Sequence, residues 1–130
     1  MHKQLLSLAK LRQVPRQFSW VDQRLVRERY IDRLSHEACA LYLFLLTVAD
    51  AQGLSYYAER SLCQRLSMSA VQLRQARQLL TQQGLLAYRR PLYQVLALEA
   101  LERLPRTDTT REEDAVDIKA VFAQIWEVLA

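Results

Sequence analysis

Arginine and glutamine side chains recur at helical spacing between residues 70 and 83. At about 100° per residue, they share one side of the segment, opposite its aliphatic side. An arginine fork pairs well with guanine, a glutamine amide with adenine, and an aliphatic side chain with the methyl group of thymine. This chemistry suits the reading of base edges, although arginine and glutamine also make ordinary solvated helix surfaces. The outward set is Val71, Arg74, Gln75, Gln78 and Gln82, flanked by Arg77 and Thr81.

Two predicted helices must position these side chains. The first spans residues 59–66 and the second spans residues 70–83, so only three residues separate them. Ser69 is a good N-cap for the second helix, and Gly84 supplies its stop. Two helices joined by so short a turn form a helix-turn-helix, whose second helix can lie in a DNA major groove. The stripe of this helix expected to face the core is Leu73, Ala76 and Leu80.

The neighbouring segments extend the pattern on both sides. Residues 35–50 are apolar on most sides, which predicts a central core helix with Ser35 as its N-cap and a stop at Gly53. A short strand is predicted next, and a β-hairpin with Arg90 and Pro91 at its tip is predicted after the helix pair. The strand and the two arms of the hairpin are predicted at residues 54–57, 85–89 and 92–98.

This order resembles a winged helix-turn-helix domain over about half of the chain. The local sequence is similar to the DNA-binding domains of GntR and MarR regulators, whose recognition helix often begins with Ser and continues through an Arg-x-Ala stretch. Residues 69–77 carry that stretch here, and residues 79–86 resemble the junction of helix, glycine and first wing strand. The arrangement is also similar to the N-terminal domains of plasmid replication initiators. Two departures stand out: Ser67 replaces the usual turn glycine, and the wing is short.

The resemblance implies a mainly α fold with a small β-hairpin wing, in which extra helices flank the winged helix-turn-helix core. It also implies sequence-specific binding of double-stranded DNA, in transcription regulation or in replication or mobile-element control. The backbone amides behind Ser69 and the arginines of the hairpin tip are expected to contact phosphates, and a solvated turn is the alternative for the tip. The predicted DNA-binding residues are Ser69, Val71, Arg74, Gln75, Arg77, Gln78, Arg89 and Arg90.

Charge divides the chain into a basic body and an acidic end. Residues 1–34 carry eight Lys/Arg against three Asp/Glu, residues 35–98 carry six against three, and residues 99–130 carry four against eight. A basic body favours a polyanionic partner. The first stretch is predicted to be a basic arm with short helices. Within it we expect an amphipathic helix or a frayed arm at residues 1–11, a strand at 18–21 and a helix capped by Asp22.

The end of the chain divides into a polar, acidic linker at residues 99–114 and an amphipathic helix at residues 115–130. This helix either packs on its own domain or pairs with a second copy or another protein, and the linker favours pairing. A homodimer would match a two-fold DNA site. The apolar stripe of the helix is Ile118, Val121, Phe122, Ile125 and Leu129.

Other functional classes find little support in the sequence. No glycine-rich loop, catalytic triad or metal-ligand spacing is present, so neither an enzyme nor a cofactor or metal site is predicted. Cys39 and Cys63 lie in apolar helical patterns and are expected to be reduced packing residues. No apolar run is long enough to span a bilayer, which predicts a cytoplasmic protein. The rival function is a protein–protein adapter that uses a winged-helix module and the C-terminal amphipathic helix.

Overall fold

The computed structural model describes residues 2–98, and the predicted linker and C-terminal helix lie outside this range. Within it, four α-helices combine with one three-stranded antiparallel sheet, and a 3₁₀-helix at Ile31–Arg33 follows the first α-helix. None of the helices in this part of the chain is both long and apolar enough to cross a bilayer. The elements are α1 (Arg24–Arg27), α2 (His36–Val48), β1 (Leu54–Tyr56), α3 (Glu59–Leu66), α4 (Ala70–Gln82), β2 (Leu86–Arg89) and β3 (Leu92–Val95).

Helix α2 forms the centre of the core, as its apolar sequence predicts. The Ser35 hydroxyl accepts a hydrogen bond of 3.1 Å from the Ala38 amide, which confirms the predicted N-cap. Helices α2 and α4 pack against each other, so the inner faces of both are removed from water. The buried residues of α2 are Ala38, Leu41, Tyr42 and Leu45, and those of α4 are Leu73, Ala76 and Leu80, the stripe predicted from the sequence.

A tight turn carries the chain from α2 into β1. The Asp50 carboxylate accepts hydrogen bonds from the Gln52 amide at 2.8 Å and from the Leu54 amide at 2.9 Å. Gly53 has a φ of +86°, the left-handed conformation that its place after the helix predicts. Its carbonyl accepts a hydrogen bond of 2.8 Å from the Val95 amide, which extends the pairing of β1 with β3 by one residue into the turn.

The sheet has the order β1–β3–β2, with β3 at its centre. The predicted hairpin is present: β2 and β3 pair antiparallel, with Leu86 opposite Val95 and Arg89 opposite Leu92. Strand β1 lies antiparallel on the other side of β3 and places Leu54 opposite Gln94. Because β1 precedes α3 and β3 follows α4, this pairing fixes both ends of the helix pair to one sheet.

The first part of the chain differs from its sequence predictions. Residues 2–23 contain neither a helix nor a strand, so the helix alternative for residues 1–11 is wrong, the alternative of an arm is left, and the predicted strand at 18–21 is wrong. A segment this short is a marginal helix in water unless its apolar face is buried. Here that face is exposed, and no strand lies beside residues 18–21 to accept their hydrogen bonds. The exposed large apolar side chains include Leu5, Leu8, Leu11, Phe18 and Trp20.

Asp22 also has a different role from the predicted one. Helix α1 is only four residues long, and Gln23 stands at its N-cap without a side-chain hydrogen bond. The Asp22 carboxylate instead pairs with the Arg24 guanidinium at 2.8 Å and accepts a hydrogen bond from the Arg24 amide. These bonds from Arg24 lower the pKa of Asp22 from its ordinary value. The carboxylate therefore stabilises the entry to α1 from one position further out.

Candidate nucleic-acid interface

The outer face of α4 is open to solvent in the described part of the chain. Val71 keeps 54% of its surface exposed, although it is a large apolar residue. The opposite face is held in the core, so rotation of the helix about its axis would expose leucines. The structure thus brings the predicted base-reading side chains to one exposed surface, which we call the α4 face. It consists of Val71, Arg74, Gln75 and Gln78, all exposed.

The start of α4 is fixed by reciprocal hydrogen bonds. The Ser69 hydroxyl accepts from the Gln72 amide at 3.1 Å, and the Gln72 side-chain oxygen accepts from the Ser69 amide at 3.0 Å. This capping box confirms the predicted N-cap, and its Gln72 member was not anticipated. The amides that the cap satisfies are no longer available to a phosphate, whereas neighbouring amides of the first turn still point outward.

The turn between α3 and α4 adopts the backbone that a glycine would favour. Ser67 has φ of 55° and ψ of 48°, in the left-handed region. A non-glycine residue pays about 1 kcal/mol or more for that conformation. The Met68 amide donates a 3.0 Å hydrogen bond to the Cys63 carbonyl, and the Met68 side chain is buried in the core. Burial of Met68 therefore helps to hold the turn in place despite the strain at Ser67.

Arg77 is engaged with the sheet rather than standing free on the α4 face. Its Nη1 donates a hydrogen bond of 3.0 Å to the Tyr93 hydroxyl, and its guanidinium carbon lies 4.2 Å from the centre of the Tyr88 ring. Tyr93 is almost fully buried, and burial raises the pKa of its hydroxyl while the Arg77 hydrogen bond opposes that rise. The predicted contact of Arg77 with DNA stays a prediction, and in the structure its side chain joins α4 to the hairpin.

Replacing Arg77 with alanine is expected to lower the free energy of unfolding by about 1–3 kcal/mol. The variant loses the cation–π contact with Tyr88 and leaves the buried Tyr93 hydroxyl without its donor. Urea denaturation followed by circular dichroism measures the change. Arg60→Ala is the matched control, because Arg60 is exposed on α3 and its loss should change stability by less than about 0.5 kcal/mol. Equal midpoints for the two variants would show that the Arg77 contacts contribute nothing.

Arg74 has an acidic neighbour on α3. Its Nη1 lies 3.8 Å from Glu59 Oε1, and the two side chains remain 57% and 34% exposed. This distance fits an ion pair but is too long for a hydrogen bond. Glu59 was not among the predicted site residues, and no sequence signal marks it, because fifteen positions separate the partners on different helices.

The hairpin tip lies at the other end of the candidate interface. Arg89, Arg90 and Pro91 are exposed there, as the sequence predicts for a short tip. Tyr56 in β1 is also exposed, whereas Tyr57 packs edge-on against Phe44 with ring centres 5.1 Å apart. The exposed residues of the tip therefore include two arginines, Arg89 and Arg90.

The cysteines and acidic residues suggest no further chemistry within residues 2–98. Cys39 and Cys63 are free thiols, and burial raises the pKa of Cys39. No group of His, Cys, Asp and Glu in this range is arranged to hold a metal ion.

No protein-family model, curated protein or solved structure matches this chain. Functional conclusions therefore depend on the geometry of the described residues.

Proposed function

We propose that residues 35–98 form a winged helix-turn-helix domain that binds double-stranded DNA sequence-specifically. Helix α4 lies in the major groove, where Arg74, Gln75 and Gln78 contact base edges. The hairpin acts as a short wing beside the groove, and its arginines contact phosphates. The single observation that carries this proposal is the exposed α4 face on a helix whose other side is buried.

The position of α4 supports insertion into a groove. A major groove of B-DNA is about 12 Å wide and admits one α-helix, provided that the helix protrudes from the protein. Helix α4 has α2 behind its inner side and α3 and β2 beside it. The order of elements is helix, strand, helix, turn, helix and hairpin, which is also the order expected for a winged helix. These features support the proposal that α4 is the helix that enters the groove, held in place by α2, α3 and the sheet.

The charge balance supports a polyanionic ligand. The chain carries 18 Lys/Arg and 14 Asp/Glu, and eight of those acidic residues fall after residue 98. The described residues are therefore strongly basic, with arginines on α3, on α4 and at the hairpin tip. Phosphate contacts from such residues make binding depend steeply on salt, because each contact releases condensed counterions.

Selection from random duplex DNA followed by a salt titration tests the proposal. The full chain should enrich a defined sequence, and fluorescence anisotropy should show affinity for that duplex falling linearly on a log–log plot as salt rises. At moderate salt, the protein should bind the preferred duplex more tightly than a scrambled one. A folded protein that binds no duplex even at low salt would refute the proposed function.

Two arginine variants separate base reading from phosphate contact. Arg74→Ala should weaken binding to the preferred duplex by roughly 10- to 100-fold and relax preference at one base pair, since a bidentate contact discriminates by about 1–3 kcal/mol. Arg90→Ala removes the same charge at the hairpin tip and should weaken binding to all duplexes equally, with a salt slope smaller by about one. Identical effects of the two variants on sequence preference would contradict the assignment of Arg74.

A protein–protein adapter is the second candidate, favoured by the exposed apolar side chains of the N-terminal segment. Leu6 is fully exposed, and Phe18 and Trp20 are 65% and 72% exposed. Contiguous exposed apolar surface often marks a protein contact. An adapter would keep its protein partner in the Arg74→Ala variant and would show no salt-dependent duplex affinity, so the same titration separates the two functions.

A further inference from the structure

The ion pair between Glu59 and Arg74 places a carboxylate of α3 beside the α4 face. Glu59 is the first residue of α3, and Arg74 lies in the second turn of α4. The pair therefore joins the start of α3 to the second turn of α4. An arginine side chain has several rotatable bonds, and a neighbouring carboxylate restricts the positions that its guanidinium can take.

Glu59 lies in a more protected environment than an ordinary surface carboxylate. Its Oε1 is buried and accepts no hydrogen bond within the described part of the chain. A buried, unsatisfied carboxylate oxygen is costly, and the nearby Arg74 guanidinium is the group that compensates its charge.

We propose that Glu59 is a positioning residue for Arg74. The Glu59 carboxylate holds the Arg74 guanidinium so that the outward donors of the guanidinium meet a base edge. The inference rests on the proposed function and adds to it a residue that determines specificity without touching DNA. One guanidinium nitrogen is directed to Glu59 Oε1 at 3.8 Å, which leaves the remaining donors of the planar fork for the ligand. The carboxylate also discourages a close approach of phosphate, because like charges repel.

The first test needs no DNA. Nitrogen relaxation of the Arg74 Nε–H group reports how ordered the side chain is in the free protein. We expect a clearly higher order parameter in the wild type than in Glu59→Gln, which keeps the shape of the side chain but removes its charge. Equal order parameters in the two proteins would overturn the positioning role, whatever the protein binds.

The second test measures base preference. The readout is the ratio of dissociation constants for the preferred duplex and for one altered at the base pair whose preference Arg74→Ala relaxes. Glu59→Gln should reduce this ratio by about tenfold, close to the loss of one well-made base contact. Affinity for the altered duplex should stay equal or rise, because a negative charge near the phosphates has been removed. An unchanged ratio would overturn the proposal.

Two further variants show whether Glu59 acts through Arg74. In the Arg74→Ala background, Glu59→Gln should have no further effect on the ratio of dissociation constants. If Glu59→Gln lowered this ratio as much there as in the wild type, Glu59 would not act through Arg74. Glu28→Gln removes one exposed negative charge after α1 and should leave the ratio unchanged. If Glu59→Gln does not fold, Glu59→Asp retracts the carboxylate by one methylene and should lower the ratio, while a wild-type ratio would contradict the proposal.

Failure of this inference differs from failure of the proposed function. A wild-type protein without duplex affinity refutes DNA binding, and the relaxation measurement still decides whether Glu59 orders Arg74. A wild-type protein that selects a sequence while Glu59→Gln selects it equally well refutes only the positioning role.

Discussion

Gly53→Ala is expected to lower the free energy of unfolding by about 3–5 kcal/mol, since strain and a backbone clash act together. A Cβ atom at this position would stand 2.5 Å from the Val95 carbonyl oxygen, and the φ of +86° disfavours any L side chain. Relief of the clash requires the turn to move away from β3, which breaks the hydrogen bond between Val95 and Gly53. Thermal and urea denaturation of the purified variant measure the loss.

Gly84→Ala is the matched control for this prediction. Gly84 also has a positive φ, +74°, but apart from its chain neighbours no atom of the described residues lies within 4 Å of the position that a Cβ would occupy. The variant should therefore show the conformational cost alone, about 1 kcal/mol. If the two alanine variants were equally stable, the close approach of the Gly53 turn to β3 would be absent in solution.

Leu45→Ala should cost about 2–5 kcal/mol, because it removes three carbons from the centre of the core. Leu45 is 0% exposed on α2, on the side that belongs to the core cluster. The cavity would weaken the support beneath α4, so the proposed duplex binding should fall along with stability. The measurement is the denaturation midpoint, together with the fraction of protein that is folded at the temperature of the binding assay.

Leu43→Ala tests whether position rather than residue type causes this effect. Leu43 lies two residues earlier on the same helix and is 62% exposed. Its replacement should change the free energy of unfolding by less than about 0.5 kcal/mol, since this side chain buries little apolar surface in the folded protein. A large loss in this variant would mean that the outer side of α2 is covered in solution.

Local signals made α2 and α4 predictable from the sequence. Helix caps depend on one side chain and the amides that follow it, so Ser35 and Ser69 could be recognised directly. The inward stripe of α4 follows from the helical period alone, and the tip of the hairpin from the break between two strand-like runs. These features are determined within a few residues of one another.

Contacts between distant residues were not accessible in the same way. The contacts of Arg77 with Tyr88 and Tyr93 and the pair of Glu59 with Arg74 depend on how elements dock, which no spacing encodes. The helix alternative for the N-terminal segment was wrong for a related reason. Its leucines have helical spacing, but periodicity indicates a helix only where another element covers the apolar side, and the described residues offer none.

The central place of β3 in the sheet has a consequence for synthesis of the chain. Strand β1 leaves the ribosome well before its partner, and both α3 and α4 emerge in the interval. Closing so long a loop carries an entropic cost that local helix formation does not. A nascent chain that stops before Leu92 thus contains the residues of both helices but lacks the strand that pairs with β1. Translation therefore has to pass the hairpin before β3 can pair with β1 and join the two ends of the helix pair.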